Sequence, residues 1–347
     1  MKRINYFVAM AAALAIGFTS CSDDPDPAPA QDIAKEYTEA DLTVTNAGEA
    51  VTNGKMKIDA VDNTNATITL TSIVNGQASF EVPATVVQAT TGYAFEGKKD
   101  VDGMKVAVKG TVVDGKATAD VTVEITAKEI LGAWEFSSGY DAGGLIFNIK
   151  TKSGKLIYYA NEEPEEWKAS DFCGGVEMMA GSMLGAALVD FSFNFQSNGY
   201  VGIKGKSTFS PEGKQDVNMP KLARYYYNPT SKTLIFDAPL DGLMGKSTGM
   251  PSLSGTMQVP FHCTFKDGAI EAIVDQALLN QFIPLIPTGA SLDGLLQMLD
   301  GVMPENMAML LPWVKGNIKT IAVALSDKEN FESLTLGGRL VPVKEDK

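Results

Sequence analysis

The sequence has very little of the chemistry that catalytic and metal sites need. Of its 347 residues, one is a histidine and three are cysteines. The histidine, His262, precedes Cys263, and neighbours on a strand point to opposite faces, so they cannot form a nucleophile–base pair. No Gly-x-Ser-x-Gly turn occurs, and no His/Cys group has metal-ligand spacing. We therefore predict a protein that is not an enzyme and that needs no cofactor or metal.

Positive charge and long apolar runs are also scarce. The chain has 29 Lys and Arg against 42 Asp and Glu, a net charge of −13. Such a surface repels phosphate backbones, which argues against nucleic acid as a partner. The apolar run from Tyr6 to Phe18 is too short to span about 30 Å of hydrocarbon, which favours an export signal over a transmembrane helix.

The N-terminus combines basic residues, this apolar run and a cysteine. Lys2 and Arg3 precede the run, and Phe18-Thr-Ser-Cys21 ends it. This arrangement resembles a bacterial lipoprotein signal, which implies cleavage after residue 20 and lipidation of Cys21. The acidic stretch from Ser22 to Pro27 resembles the export signal of Bacteroidota surface lipoproteins. The resemblance implies an outer-membrane lipoprotein that faces the cell exterior, with residues 1–20 as signal and 21–35 as an extended tether that does not pack. A plain solvated linker is the other interpretation of the acids.

Residues 36–126 have the pattern of an all-β domain. Apolar and polar residues alternate with a period of two, and Asn-Gly and Asp-Gly pairs suit tight hairpin turns. The segments that resemble calycin-like β-barrel domains of Bacteroidota lipoproteins include Leu42–Val44, Ala66–Leu70, Tyr93–Gly97 and Gly115–Val121. That family implies no established activity. The predicted strands are 40–45, 54–61, 66–73, 77–88, 91–98, 103–112 and 116–125.

Residues 127–347 form a second predicted domain. Gly132-Ala-Trp134 opens it, and the last strand, residues 334–341, carries Arg339. This pair resembles lipocalin-like domains, in which the tryptophan closes one barrel end and the arginine packs across it. The fold class expected for the chain is mainly β, with two barrel or sandwich domains, the second carrying inserted apolar helices. Its further predicted strands are 143–150, 154–160, 190–196, 199–207, 222–228, 232–237 and 256–265.

The helical insertions suggest two alternatives. Apolar residues at helical spacing predict helices over 176–188, over 274–282, from Ser291 and after Pro304. Methionine is dense there, and flexible thioethers suit an adaptable surface. The helices either hold an apolar ligand at the barrel mouth or simply pack on the sheet. Candidate ligand-binding residues are Tyr225, Tyr227, Met178, Met183, Met307 and Trp313.

Two smaller features remain open. Cys173 and Cys263 either pair in an oxidising envelope or stay as separate buried thiols. The glutamates between Glu162 and Glu166, near Tyr158 and Trp167, are either a solvated loop or a sugar contact. The sequence thus predicts a lipid-anchored, non-catalytic binding protein for a small apolar or amphipathic ligand. The alternative is a glycan-binding or adhesive accessory lipoprotein of an outer-membrane uptake system.

Overall fold

Two large sheets account for most of the strands. The computed structural model describes residues 28–137, 144–160, 163–207, 215–239, 256–298 and 309–344. Each large sheet has nine strands, and their order along the chain separates two β domains. The prediction of a mainly β chain with two β domains is confirmed.

The first sheet curls into a half-barrel around an apolar core. Alternation places Phe80, Val82, Ala84 and Val86 of one strand inside and their neighbours outside. All seven predicted strands of this domain are present, and two short edge strands are added to them. The strands are β1 (Glu36–Tyr37), β2 (Leu42–Asn46), β3 (Glu49–Ala50), β4 (Lys55–Ala60), β5 (Asn65–Thr71), β6 (Ser79–Gln88), β7 (Tyr93–Val101), β8 (Met104–Val113) and β9 (Lys116–Ile125).

The second sheet closes into a barrel of eight strands. The closing pair joins β10 to β20, with Trp134 opposite Pro342 and Phe136 opposite Leu340. A ninth strand, β11, pairs with the first part of β20 and extends the sheet beyond the barrel. The strands are β10 (Gly132–Phe136), β11 (Leu145–Thr151), β12 (Lys155–Tyr158), β13 (Glu165–Lys168), β14 (Leu188–Phe195), β15 (Tyr200–Ser207), β16 (Gln215–Asn228), β17 (Thr233–Pro239), β18 (Thr256–Lys266), β19 (Ala269–Val274) and β20 (Phe331–Pro342).

Helices form a layer next to the barrel and build a second core. Phe147 and Ile149 of β11 pack there with Phe172, Leu279 and Leu325 from three helices. The hairpin β12–β13 contributes to the same core. The helices are α1 (Pro29–Asp32), α2 (Ala169–Ala187), α3 (Gln276–Phe282), α4 (Gly289–Met298) and α5 (Leu311–Ser326). Among the described residues, none of the helices has the length and apolar content to cross a membrane.

Several sequence-based expectations need correction. The end of the expected tether packs: α1 forms there, and Ala30 and Ile33 are buried in the first core. Strands β13 and β19 were not predicted, because neither short segment alternates strictly between apolar and polar residues, although each forms a hairpin with the strand before it. Ser291 lies inside α4 and does not cap it. Predicted helix 274–282 begins at Gln276, with Asp275 as its N-cap.

The first domain packs against the outer face of β16 and β17. Tyr226, which points out of the barrel, donates a hydrogen bond to the carbonyl oxygen of Asp102 at 2.7 Å. Arg224 Nη1 donates to the Ile73 carbonyl at 2.8 Å, and Asp237 accepts from the Gly76 amide at 3.0 Å. Buried residues of both domains belong to one apolar cluster, so the domains share a continuous core.

Candidate functional site

One end of the barrel interior is a packed floor. The register turns Trp134, Phe195, Tyr225 and Tyr227 inward, and each is at most 8% exposed. Phe195 and Tyr225 pack edge to face with ring centres 5.1 Å apart, and Tyr227 packs on Phe265 at 5.6 Å. Tyr225 and Tyr227, both candidate ligand-binding residues, therefore share one face of β16. They fill the floor, however, and do not line an open cavity.

The hydroxyl groups and pKa values of these tyrosines agree with a closed floor. Tyr225 donates a hydrogen bond to the carbonyl oxygen of Gln196 at 2.9 Å. Burial raises the pKa of Tyr227 to about 12 and that of Tyr225 further. Both phenols are therefore neutral at physiological pH, and the hydroxyl of Tyr225 is already engaged in a hydrogen bond.

The other end of the interior carries a group of half-buried aromatic rings, which we call the mouth ring. Phe136, Phe193, Phe236 and Phe261 project from four strands on the inward face and pack on the floor residues. Phe136 contacts Phe193 at 5.3 Å between ring centres, and Phe236 contacts Phe261 at 5.5 Å. Unlike Trp134, Phe195, Tyr225 and Tyr227, all four remain partly accessible, as does Phe265 at the floor end. A partly accessible, inward-facing apolar surface is the feature that small-molecule sites share.

The loops show which end of the barrel is closed. Floor residues lie near the tight turns that join β14 to β15 and β18 to β19, and the first domain packs there. A Cβ on Gly199, in the first of these turns, would lie 2.2 Å from Asn75 Nδ2 of the first domain. The mouth ring lies at the opposite end, where α2 leads into β14 and α3 follows β19. Those helices therefore border the mouth end of the barrel, whereas the first domain contacts the floor end.

The helical residues predicted to bind a ligand are partly at the surface. Met178 of α2 is 46% exposed, and Met183 is half-buried on the same helix. Trp313 of α5 is half-buried and lies beside the buried Tyr158. Met307 lies outside the described residues. The helices α3 and α4 and the short turns beside them also expose other large apolar side chains, namely Phe282, Leu285, Leu295, Met298 and Met309.

The predicted stacking of Arg339 on Trp134 is wrong. Trp134 lies opposite Pro342 and points inward, whereas Arg339 lies opposite Glu271 on the other face of the sheet. An offset of three residues along a strand reverses the side-chain direction, which the motif alone does not reveal. Trp134 is 8% exposed at the floor, and its Nε1–H donates to the Ile130 carbonyl at 2.9 Å. The Nε of Arg339 is buried without a hydrogen-bond partner.

The two described cysteines do not form a disulfide. Both are free and buried, with Cys173 in the second core and Cys263 in the first. Burial raises the pKa of Cys263 to about 12, so this thiol is protonated and unreactive at neutral pH. His262 is exposed on the opposite face of β18, as the strand geometry predicts.

The acidic segment near Trp167 is a strand and not only a loop. Glu165 and Glu166 lie on β13, where Glu166 pairs with Lys155 at 2.5 Å. The Tyr158 ring stacks on Trp167 with centres 4.0 Å apart and is itself 7% exposed. One face of the indole is thus covered by a buried ring, which leaves no two-ring platform for a sugar. Glu162 lies outside the described residues.

Two surface grooves lie on the first domain. One of about 490 Å³ crosses β5, β6 and β7 and is bordered by Pro83, Thr85, Glu96 and Lys98. A second, of about 440 Å³, lies near Thr38 and Lys55. Both are shallow and lined by small or charged residues, without an aromatic side chain. The mouth ring is therefore more apolar than either groove of the first domain.

Comparison with known proteins adds no family to these observations. A scan against protein-family models finds no match, and no curated protein or solved structure matches the chain. The site must therefore be interpreted from its own residues. Sequence reasoning did not select the mouth ring, although the alternating phenylalanines at 191, 193 and 195 indicated an apolar inner face.

Proposed function

We propose that this protein is a non-catalytic binding protein that holds a small apolar or amphipathic ligand in the mouth of its second barrel. It is held at the outer face of an outer membrane by lipid on Cys21. The anchor rests on the N-terminal motif alone, because residues 1–27 lie outside the described part of the chain. The binding role rests on the mouth ring.

The single observation that carries the binding role is the contrast between floor and mouth. Aromatic side chains fill the floor, while four further phenylalanines on the same inner face stay partly accessible. A protein gains stability from burying such rings, at about 25 cal/mol per Å². Rings left accessible on the inner face of a barrel are therefore available to bury the surface of a ligand.

The helices beside the mouth support the same proposal. Met178 and Met183 lie on α2, which leads directly into β14 and thus into the strand that carries Phe193. Thioethers adapt to ligands of different shape because their torsions are soft. Both interpretations of the helices can therefore hold, since α2 also packs on β11 through Phe172 and Cys173.

Glycan binding is the weaker candidate. It requires exposed aromatic faces beside hydrogen-bonding groups, and the aromatic pair next to the glutamates is largely covered. The structure offers no specific observation that favours it over the mouth ring. We keep it as the alternative outcome of the binding experiment below.

The test uses N-phenyl-1-naphthylamine, a neutral apolar dye that fluoresces when it leaves water. We expect saturable binding to the purified chain lacking residues 1–20, because this form keeps all described elements. Phe236→Ala should weaken binding about tenfold, since losing a half-buried ring contact costs about 1.4 kcal/mol. Val113→Ser, on the outside of the first domain and 37% exposed, serves as the matched surface control.

Circular dichroism and thermal melting will show that each variant is folded. If Phe236→Ala does not fold, Phe236→Leu keeps most of the volume and should still weaken binding measurably. The proposal is wrong if the dye does not bind, or if Val113→Ser weakens binding as much as the mouth variant. Retention of the wild type on immobilised polysaccharide, without dye binding, would instead favour the glycan alternative.

A further inference from the structure

Within the described strands, the positions that the pairing register assigns to the inner face of the barrel carry no formal charge. At the positions that the pairing register turns inward, the described strands carry aliphatic residues, aromatic residues and glycine. Polar exceptions are neutral: two tyrosines and Cys263 in the floor, and Ser207 with Gln215 at the far rim. Lys221 is not an exception, because β16 bulges there and its ammonium pairs with Glu49 of the first domain at 2.5 Å.

The charged residues of the same strands that have register partners point outward, whereas Asp190 lies at the bulge of β14, where the register assigns it to neither face. Arg224 and Asp237 face each other across β16 and β17 and serve the contact between the domains, with Arg224 Nη2 and Asp237 Oδ2 3.5 Å apart. Arg339 and Glu271 occupy the outer face of β20 and β19. No cation of these pairs is therefore directed at a ligand in the mouth.

From this distribution we infer that the site selects uncharged ligands and discriminates against anions of the same shape. The inference rests on the proposed function. A carboxylate or sulfonate that enters an apolar site loses its hydration, and without a cation or a cluster of N–H donors nothing compensates the loss. The net charge of −13 adds a second, longer-ranged repulsion, which salt can screen.

Two dyes with one ring skeleton separate these effects. N-phenyl-1-naphthylamine is neutral, and 8-anilinonaphthalene-1-sulfonate adds a sulfonate to the same rings. The skeleton is compact, so the sulfonate cannot stay in bulk water while both ring systems contact the mouth. We expect the sulfonate dye to bind at least tenfold more weakly, both at low salt and at about 0.5 M salt, where the Debye length is only about 4 Å.

A charge introduced on the inner face should reverse the preference. Ile203 is half-buried and faces inward on β15, opposite Met219. Ile203→Lys places an ammonium beside the mouth, and its flexible stem can direct the charge toward water when no ligand is bound. We expect this variant to bind the sulfonate dye at least as well as the neutral one. If Ile203→Lys does not fold, Val217→Lys offers the same change closer to the rim.

The outcomes distinguish this inference from the function on which it rests. Equal affinity for the two dyes would overturn the inference and leave the binding function intact, as would discrimination that disappears at high salt. An unchanged preference in a folded lysine variant would also overturn it. Failure of both dyes to bind the wild type would instead reject the proposed function.

Discussion

Both β domains are built from strands with alternating apolar and polar residues, but they differ in how fully the apolar face is buried. The half-barrel of the first domain buries most of its inner face, with Val82, Val86 and Val106 at most 1% exposed, although Tyr93 and Val101 on that face stay partly accessible. The closed barrel of the second domain buries only its floor and leaves Phe136, Phe193, Phe236 and Phe261 partly accessible. When a sheet closes into a barrel, side chains can pack tightly at one end of the interior and loosely at the other. A core and a candidate site can therefore lie within one barrel.

The largest expected effect tests the division between floor and mouth. Phe195→Ala removes a ring that is 2% exposed and should lower the free energy of unfolding by about 3–5 kcal/mol. Phe236→Ala removes a half-buried ring and should cost only about 1–2 kcal/mol, because part of that ring already contacts water. Urea denaturation of both variants measures the difference. Equal costs would mean that the mouth is as tightly packed as the floor.

A smaller effect tests how the domains are joined. Gly103 and Gly115 occupy similar turns, with φ of +80° and +75°. A Cβ on Gly103 would lie 2.2 Å from the Tyr227 carbonyl oxygen of the barrel, whereas a Cβ on Gly115 meets only the end of Lys35 at 3.9 Å. Both alanine variants carry the backbone strain of a positive φ, about 1 kcal/mol. Only Gly103→Ala adds a clash between the domains, so this variant should lower the free energy of unfolding by about 2–4 kcal/mol in total.

The control in that experiment is built into the pair. Thermal unfolding of Gly115→Ala reports the cost of backbone strain alone, and the excess in Gly103→Ala reports the interface. If the two variants melt at the same temperature, the first domain does not press on the barrel at Tyr227. Such a result would also weaken the view that the two domains share one core.

The smallest expected effect is the pH dependence of Asp237. Burial is the largest cause that raises the pKa of this carboxyl above 3.8, and the Gly76 amide and Arg224 oppose the shift only in part. Because the folded pKa is the higher one, the protonated form favours folding. The stability contributed by the protonated carboxyl is fully present below pH 3.8 and is lost as the pH rises through the pKa of the folded state.

Asp237→Asn removes the titration and keeps an acceptor for the Gly76 amide. The stability of the wild type relative to this variant should therefore rise as the pH is lowered from neutral toward 4. Chemical denaturation at several pH values provides the measurement, and Asp120→Asn, a partly exposed carboxylate of the first domain, provides the control. A relative stability that falls on acidification would show that the ion pair with Arg224 outweighs burial.

Prediction from sequence worked best where the signal was local. In the first domain, alternation and Asn-Gly or Asp-Gly turns located all seven main strands, since both signals lie within a few neighbouring residues. In the second domain the same signals missed β19, a six-residue strand that lacks strict alternation although it pairs with β18 across a tight turn. The predicted contact between Trp134 and Arg339 failed for a different reason, because motif spacing carries no information on register.

By itself, the sequence determined the β class, most strands and the opposite directions of His262 and Cys263, because each follows from the order of neighbouring residues. Tertiary structure alone decided that β10 meets β20, that Tyr225 and Tyr227 are buried in a floor, and that four phenylalanines stay accessible at the mouth. These properties depend on contacts between residues far apart in the chain. Their geometry is fixed only when the barrel closes and the first domain packs beneath it.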